Sequence, residues 1–234
     1  MKISERLVDD FLAYRGYRDV VYEPDGEVPP DFLVDGRIAV EARRLNQNYK
    51  TGAHTQGLEK LRIPLQCKIK KLVLSLGPPT QGVSWFVGFR FRRPVERWKK
   101  LEPKLHGALK GFITGATHTE TRLKIGNRFE VRISRASDLR STFYVLGHTT
   151  DRNAGGWEIS EMEKNLRICI SDKMKKIAKF KPKYPVWWLV FEDRIGCGLD
   201  GFDQKKLREL MCLPPHWDKI ILVDAQNHTR AFEL

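Results

Sequence analysis

The chain has 234 residues, 41% of them hydrophobic and six of them tryptophan, enough to bury a core and too apolar for a disordered polymer. No apolar run reaches the roughly 18–20 residues that a membrane-spanning helix needs. An amphipathic pattern begins within the first few residues, so neither a span nor a secretory leader is expected, and the expected location is cytoplasmic.

In chain order, Ile3, Leu7, Val8, Phe11 and Leu12 recur at helical spacing, with Ser4 as a cap and Gly16 as a stop. Residues 18–23 read as a strand, and 23–30, rich in Pro and Gly, as a turn. Two short strands follow, 31–34 and 37–43, separated by the hairpin dipeptide Asp35-Gly36. A polar loop over 46–57 leads to a basic helix over 58–75 in spite of Pro64. Then come a strand over 83–91, a basic helix over 95–112, and strands at 129–133 and 142–146. The stretch 147–156, with three glycines, is the best candidate for a flexible break. A long helix over 158–180 carries an apolar stripe of Ile159, Met162, Leu166, Ile170, Met174 and Ile177. The apolar run 185–191 predicts a strand covered on both faces, in which Trp187 and Trp188 belong to the core. A helix near 204–211 and a strand over 219–223 end the chain. The order predicts an α/β protein with a mixed central β-sheet flanked by helices, a single domain over 1–234 with an inserted segment around 95–156.

Charge points to the partner. Lysine and arginine number 42 against 29 acids, a net charge of +13 that attracts polyanions. The excess concentrates in two runs, Arg90–Lys110 and Lys164–Lys183, each with eight basic residues. Nucleic acid is the expected partner; an anionic membrane would call for an aromatic-faced basic helix or a lipidation motif, and neither is present. The cysteines Cys67, Cys169, Cys197 and Cys212 are scattered and form no CxxC, and the six histidines show no ligand spacing.

The chemistry concentrates in Pro30-Asp31 and Glu41-Ala42-Arg43. On the second strand Ile38, Val40 and Ala42 share one face and Ala39, Glu41 and Arg43 the other. A carboxylate inside an apolar strand is costly to desolvate unless it is paired or binds a cation. Two converging carboxylates suit Mg²⁺, which takes one or two protein carboxylates together with water and phosphate oxygens. An adjacent cationic side chain then stabilises charge developing on a phosphate.

In this pattern the sequence resembles the PD-(D/E)xK nuclease superfamily, over about residues 1–75. The resemblance implies a restriction-endonuclease-like core and metal-dependent hydrolysis of nucleic acid, DNA more than RNA. It implies that Asp31 and Glu41 hold Mg²⁺ or Mn²⁺, that the Ala42 carbonyl adds a ligand, and that Arg43 faces the scissile phosphate. Arg43 departs from the lysine of the family pattern. Arginine keeps the charge but does not deprotonate, so a charge-stabilising role survives and a general-base role does not. Some relatives supply the lysine from a nearby helix, which makes Lys60 a reserve candidate; Glu5, Glu23, Gln47 and Gln56 are weaker candidates. The alternative is a nucleic-acid-binding module without catalysis on the same fold.

Whether the two acids meet depends on the hairpin loop. A two-residue loop sets Asp31 and Glu41 on opposite faces; a three-residue loop, Val34-Asp35-Gly36, pairs Asp31 with Ala39 and brings Glu41 onto the same face. The expectation is an odd-length loop or a bulge, with both carboxylates opening to one basic cleft.

Overall fold

The structure, a computed structural model, describes residues 1–51, 54–79, 82–115, 118–196, 198–211 and 215–234. In chain order the elements are α1 (Ile3–Tyr14), β1 (Val20–Tyr22), β2 (Phe32–Val34), β3 (Ile38–Leu45), β4 (Asn48–Thr51) and β5 (His54–Gly57). They continue with α2 (Glu59–Leu74), β6 (Trp85–Phe91), α3 (Trp98–Thr114), β7 (Thr121–Lys124), β8 (Phe129–Arg135) and β9 (Tyr144–Asp151). The last are α4 (Glu158–Ile177), β10 (Val186–Asp193), α5 (Gly201–Leu210), β11 (Lys219–Asp224) and β12 (Asn227–Glu233). The protein is mixed α/β, and its chain divides into two compact units: Met1–Asn48 with Gly155–Leu234, and Tyr49–Ala154. No helix among the described residues is long and apolar enough to cross a membrane. Cys67 is exposed and Cys169 buried, while Cys197 and Cys212 lie outside the described residues.

The first unit is built on a six-stranded sheet in the order β1-β2-β3-β10-β11-β12. β1, β2 and β3 form an antiparallel meander; β10 is parallel to both β3 and β11, and β12 closes the edge antiparallel. Such parallel neighbours require crossovers, and α4 and α5 supply them. The second unit is therefore an insertion in the crossover from β3 to α4. It starts earlier than residue 95, because α2 packs into its core.

Strand alternation sends Ala39, Trp187, Leu189 and Phe191 to the face covered by α4 and α5, and Val40, Ala42, Trp188 and Val190 to the face covered by α1. Trp187 and Trp188 are both buried. β10 is apolar on both faces since helices cover both, as the run 185–191 predicts.

The second unit carries a four-stranded sheet in the order β7-β8-β6-β9 and a short β4-β5 hairpin. Trp85, Val87, Phe89, Phe91, Val131 and Ile133 alternate onto one face, where Leu65, Ile69 and Leu72 of α2 and Leu101, Leu105 and Leu109 of α3 meet them. Pro64 and Pro103 are both accommodated within their helices. β4, β5, β7 and β12 were not legible in the sequence, because they are short or polar edge strands fixed by their partners and not by an apolar alternation.

One arginine of the basic run 90–110 is structural. Arg93 Nη1 donates to both carboxylate oxygens of Asp151 at 2.6 Å, and Nη2 donates to the Leu58 carbonyl at 2.7 Å, with both side chains buried. Removing one partner of a buried pair leaves the other charge uncompensated. Arg93→Ala is therefore expected to destabilise the protein by about 3–5 kcal/mol, which denaturant unfolding monitored by tryptophan fluorescence would measure.

Candidate active site

The hairpin between β2 and β3 sets the register of the two acids. Phe32 pairs with Val40, Leu33 with Ala39 and Val34 with Ile38. The loop is thus Asp35-Gly36-Arg37, an odd number, one residue later than the Val34-Asp35-Gly36 frame expected from sequence. Asp35 and Gly36 have φ of 50° and 64°, the left-handed turn conformation that Asp tolerates and Gly prefers, and Arg37 N–H donates to the Val34 carbonyl at 3.1 Å. The ladder ends at Phe32 and Val40, and Asp31, the residue just before β2, comes to the Glu41 side of the sheet, where one lysine reaches both acids.

Glu41 is 1% exposed and sits between Ala39 and Arg43 on the α4 side, with Leu189 as its neighbour on β10. The third member comes from α4. Lys173 Nζ donates to Glu41 Oε2 and lies 3.4 Å from Asp31 Oδ2. Lys173 is itself buried, on the helix stripe with Leu166, Ile170 and Ile177. Burial raises the Glu41 carboxyl above its ordinary range; Lys173 pulls it down and the Asp31 charge pushes it up further.

Asp31 is held from the backbone, since Ala42 N–H donates to its Oδ2 at 2.7 Å. The N–H and C=O of one strand residue point to the same side, so the Ala42 carbonyl emerges on the Asp31 edge of β3.

Other candidates are distributed differently. Arg43 shares the face of Glu41 but is half-buried against Asp172 of α4, at 3.6 Å, and not against the two carboxylates. Lys60 belongs to the second unit, and the cluster in the first unit is built without it. Gln47 Oε1 accepts from Gly155 N–H at 3.0 Å, a loop tie. Glu5, at the start of α1, accepts the Lys2 backbone N–H in the manner of a capping box and receives the Tyr22 hydroxyl at 2.9 Å. Burial raises its carboxyl, but the hydrogen bonds from Lys2 and Tyr22 outweigh burial and leave it below the usual value. Tyr22 also reaches Glu23 at 2.8 Å, and these acids together with burial push its phenol up.

Glu5, Tyr22, Glu23, Glu27, Asp31 and Glu41 line one cavity of about 410 Å³ together with Lys2 and Lys176, so five carboxylates against two lysines make it an acidic pocket and not the basic cleft expected from sequence. A cation would fit it for a specific reason. Glu41 Oε1 is buried and has no hydrogen-bond partner among the described residues. Such an orphaned oxygen costs on the order of 1–3 kcal/mol or more when charged. Among the described residues no group of three or more His, Cys, Asp or Glu could hold a metal. The donors are instead two carboxylates and a backbone carbonyl, a sparse oxygen set of the kind Mg²⁺ completes with water and phosphate oxygens.

Lys173 was not singled out from sequence, though a signal existed. It stands three residues after Ile170 and four before Ile177, so a lysine occupies a position of the apolar stripe where solvated charge does not belong. Comparison of the chain with protein-family models, with curated proteins and with solved structures returns no match.

Proposed function

We propose that this protein is a Mg²⁺- or Mn²⁺-dependent nuclease, acting on DNA in preference to RNA, with a restriction-endonuclease-like core in its first unit. One observation carries the reading: Asp31 just before β2, Glu41 on β3 and Lys173 on α4 meet at one point beside a cavity, with Glu41 Oε1 buried and unpartnered among the described residues. Folding alone does not favour such a cluster, because well-packed apolar residues are often as stable as buried ions. The antiparallel meander followed by parallel β10, with α1 and α4 on opposite faces, agrees with the fold that the sequence resemblance implies.

In this reading Asp31, Glu41 and the Ala42 carbonyl hold the cation. When bound, it polarises the phosphodiester and lowers the pKa of its water. Lys173 then orients the attacking water and stabilises charge on the scissile phosphate, the part that the resemblance assigns to the motif's third residue. Lys176 stands at the edge of this acidic cavity, whereas Lys2 is paired with Glu5. Arg43 supports the arrangement through Asp172 on the helix that carries Lys173.

The second reading, a nucleic-acid-binding module without catalysis, is favoured by the direct contact of Lys173 with Glu41, which already neutralises that carboxylate. The test is incubation of the purified chain with single- and double-stranded DNA and RNA in Mg²⁺, Mn²⁺ or EDTA. Cleavage of at least one polymer with metal and none in EDTA is the expected result. Binding without cleavage under every condition would select the second reading.

A further inference from the structure

We infer that the open face of the β7-β8-β6-β9 sheet is a binding surface for the phosphate backbone of nucleic acid, separate from the carboxylate site. The inference deepens the nucleic-acid reading above and rests on it for the class of partner. Both helices of the second unit pack on the same side of this sheet. Among the described residues of the unit no helix lies over the other side, and strand alternation puts Arg90, Arg122, Lys124 and Arg132 there beside Glu130, with Phe86, Gly88 and Ser134 on the same face.

The register makes the charge arrangement costly for folding. Arg122 lies directly across from Arg132, and like charges in that position repel. Their acidic neighbours are weak offsets: Glu120 is 4.0 Å from Arg132, Glu130 is 3.8 Å from Arg90, and among the described residues Arg122 and Lys124 have no ion-pair partner. Next in the same row is Gly88, where a Cβ would stand 3.0 Å from the His148 carbonyl oxygen. The missing side chain leaves a depression of about 180 Å³ between Arg90, Arg122, Arg132 and His148.

This depression does not stand alone. Arg90 and Glu130 also line a larger cavity of about 1110 Å³, which adds Arg92, Lys124, Arg128 and Arg152. The result is a continuous track of guanidinium groups across the sheet and around its end. Guanidinium matches phosphate geometry with two parallel N–H donors, and a track of several such groups suits a repeating polyanion better than a single anion. The basic run 90–110 does not form this surface as a unit. Arg90 and Arg92 face it, Arg93 is buried, and Lys99, Lys100 and Lys110 lie on α3, which packs on the opposite face of the sheet.

The test is equilibrium binding of the full chain in EDTA, so that cleavage plays no part. Fluorescence anisotropy follows a labelled single-stranded and a labelled duplex oligonucleotide across a salt series. Arg122→Glu/Arg132→Glu should weaken binding by on the order of 10-fold or more and flatten the log–log salt slope by about 2, near 0.9 per lost phosphate contact. Lys100→Glu/Lys110→Glu makes the same change in net charge on α3 and should cost much less. A gentler pair, Arg122→Ala/Arg132→Ala, should weaken binding while the thermal midpoint stays level or rises, because it relieves a like-charge pair. Equal losses in both Glu variants would reduce the effect to net charge and overturn the inference. So would unchanged affinity in the arginine variants, or tighter binding of poly-glutamate than of either oligonucleotide. If cleavage fails with every metal while the arginine variants lose binding, the nuclease reading falls and this surface stands.

Discussion

Glu41→Gln is expected to abolish metal-dependent cleavage. The loss should exceed the 10–100-fold typical of outer-shell metal partners, and on the order of 10³-fold is the expected scale, because in the proposed reading this change removes a direct ligand charge. Asp31→Asn should behave alike, since Lys173 reaches both carboxylates. A second readout does not depend on turnover. Mn²⁺ should raise the thermal midpoint of the wild type, as any ligand selective for the folded state does, and should leave that of Glu41→Gln unmoved. The metal-free protein carries a further signature. Burial raises the Glu41 carboxyl above its ordinary 4.5. A raised carboxyl contributes stability that is fully present below the unfolded value and is lost as pH rises through the folded one. Glu41→Gln should therefore flatten that part of the stability profile. Full cleavage and a full Mn²⁺ shift in both variants would remove these acids from the site.

Lys173 should matter more than Arg43. Lys173→Met keeps the aliphatic stem in the apolar stripe and removes the ammonium that touches Glu41 and lies 3.4 Å from Asp31. Single-turnover cleavage should fall by on the order of 10²-fold, the scale of losing one donor aimed at developing charge. Arg43→Ala acts through Asp172, at 3.6 Å and half-exposed, and should cost several-fold less. The lysine change also leaves the buried Glu41 carboxylate without its cation and beside half-buried Asp31, so metal-free Lys173→Met should lose about 3–5 kcal/mol. Divalent cation should restore part of that loss, giving this variant a larger Mn²⁺ shift than wild type. Lys173→Met in the Glu41→Gln background, with one carboxylate fewer to repel, guards against a variant that does not fold. Equal rate losses for Arg43→Ala and Lys173→Met would return the third position of the motif to Arg43.

The sequence alone determined the hairpin and the two acids it carries, since both are local. Alternation over Ile38–Arg43 separates Glu41 from the apolar set, and Asp35-Gly36 marks the turn. The requirement for an odd loop followed from the pleat alone. Its frame did not: Val34 is fully buried and pairs with Val20 of β1, so the core keeps it in the strand and moves the loop one residue on. The long α4 and the doubly covered β10 were equally legible, because their apolar patterns are long and regular.

Only the tertiary structure decided which lysine serves the acids. Lys173 lies 132 residues from Glu41 along the chain, and a period of 3.6 says that a face is buried without saying what it is buried against. The packing of α4 across β3 makes that choice, and it turns one member of a basic run into the partner of two carboxylates. The same distinction sorts the run 90–110, where Arg93 is held inside by Asp151 while Arg90 opens onto the sheet face. Charge in a sequence is a count, and its meaning here depends on which side of a strand or helix the core claims.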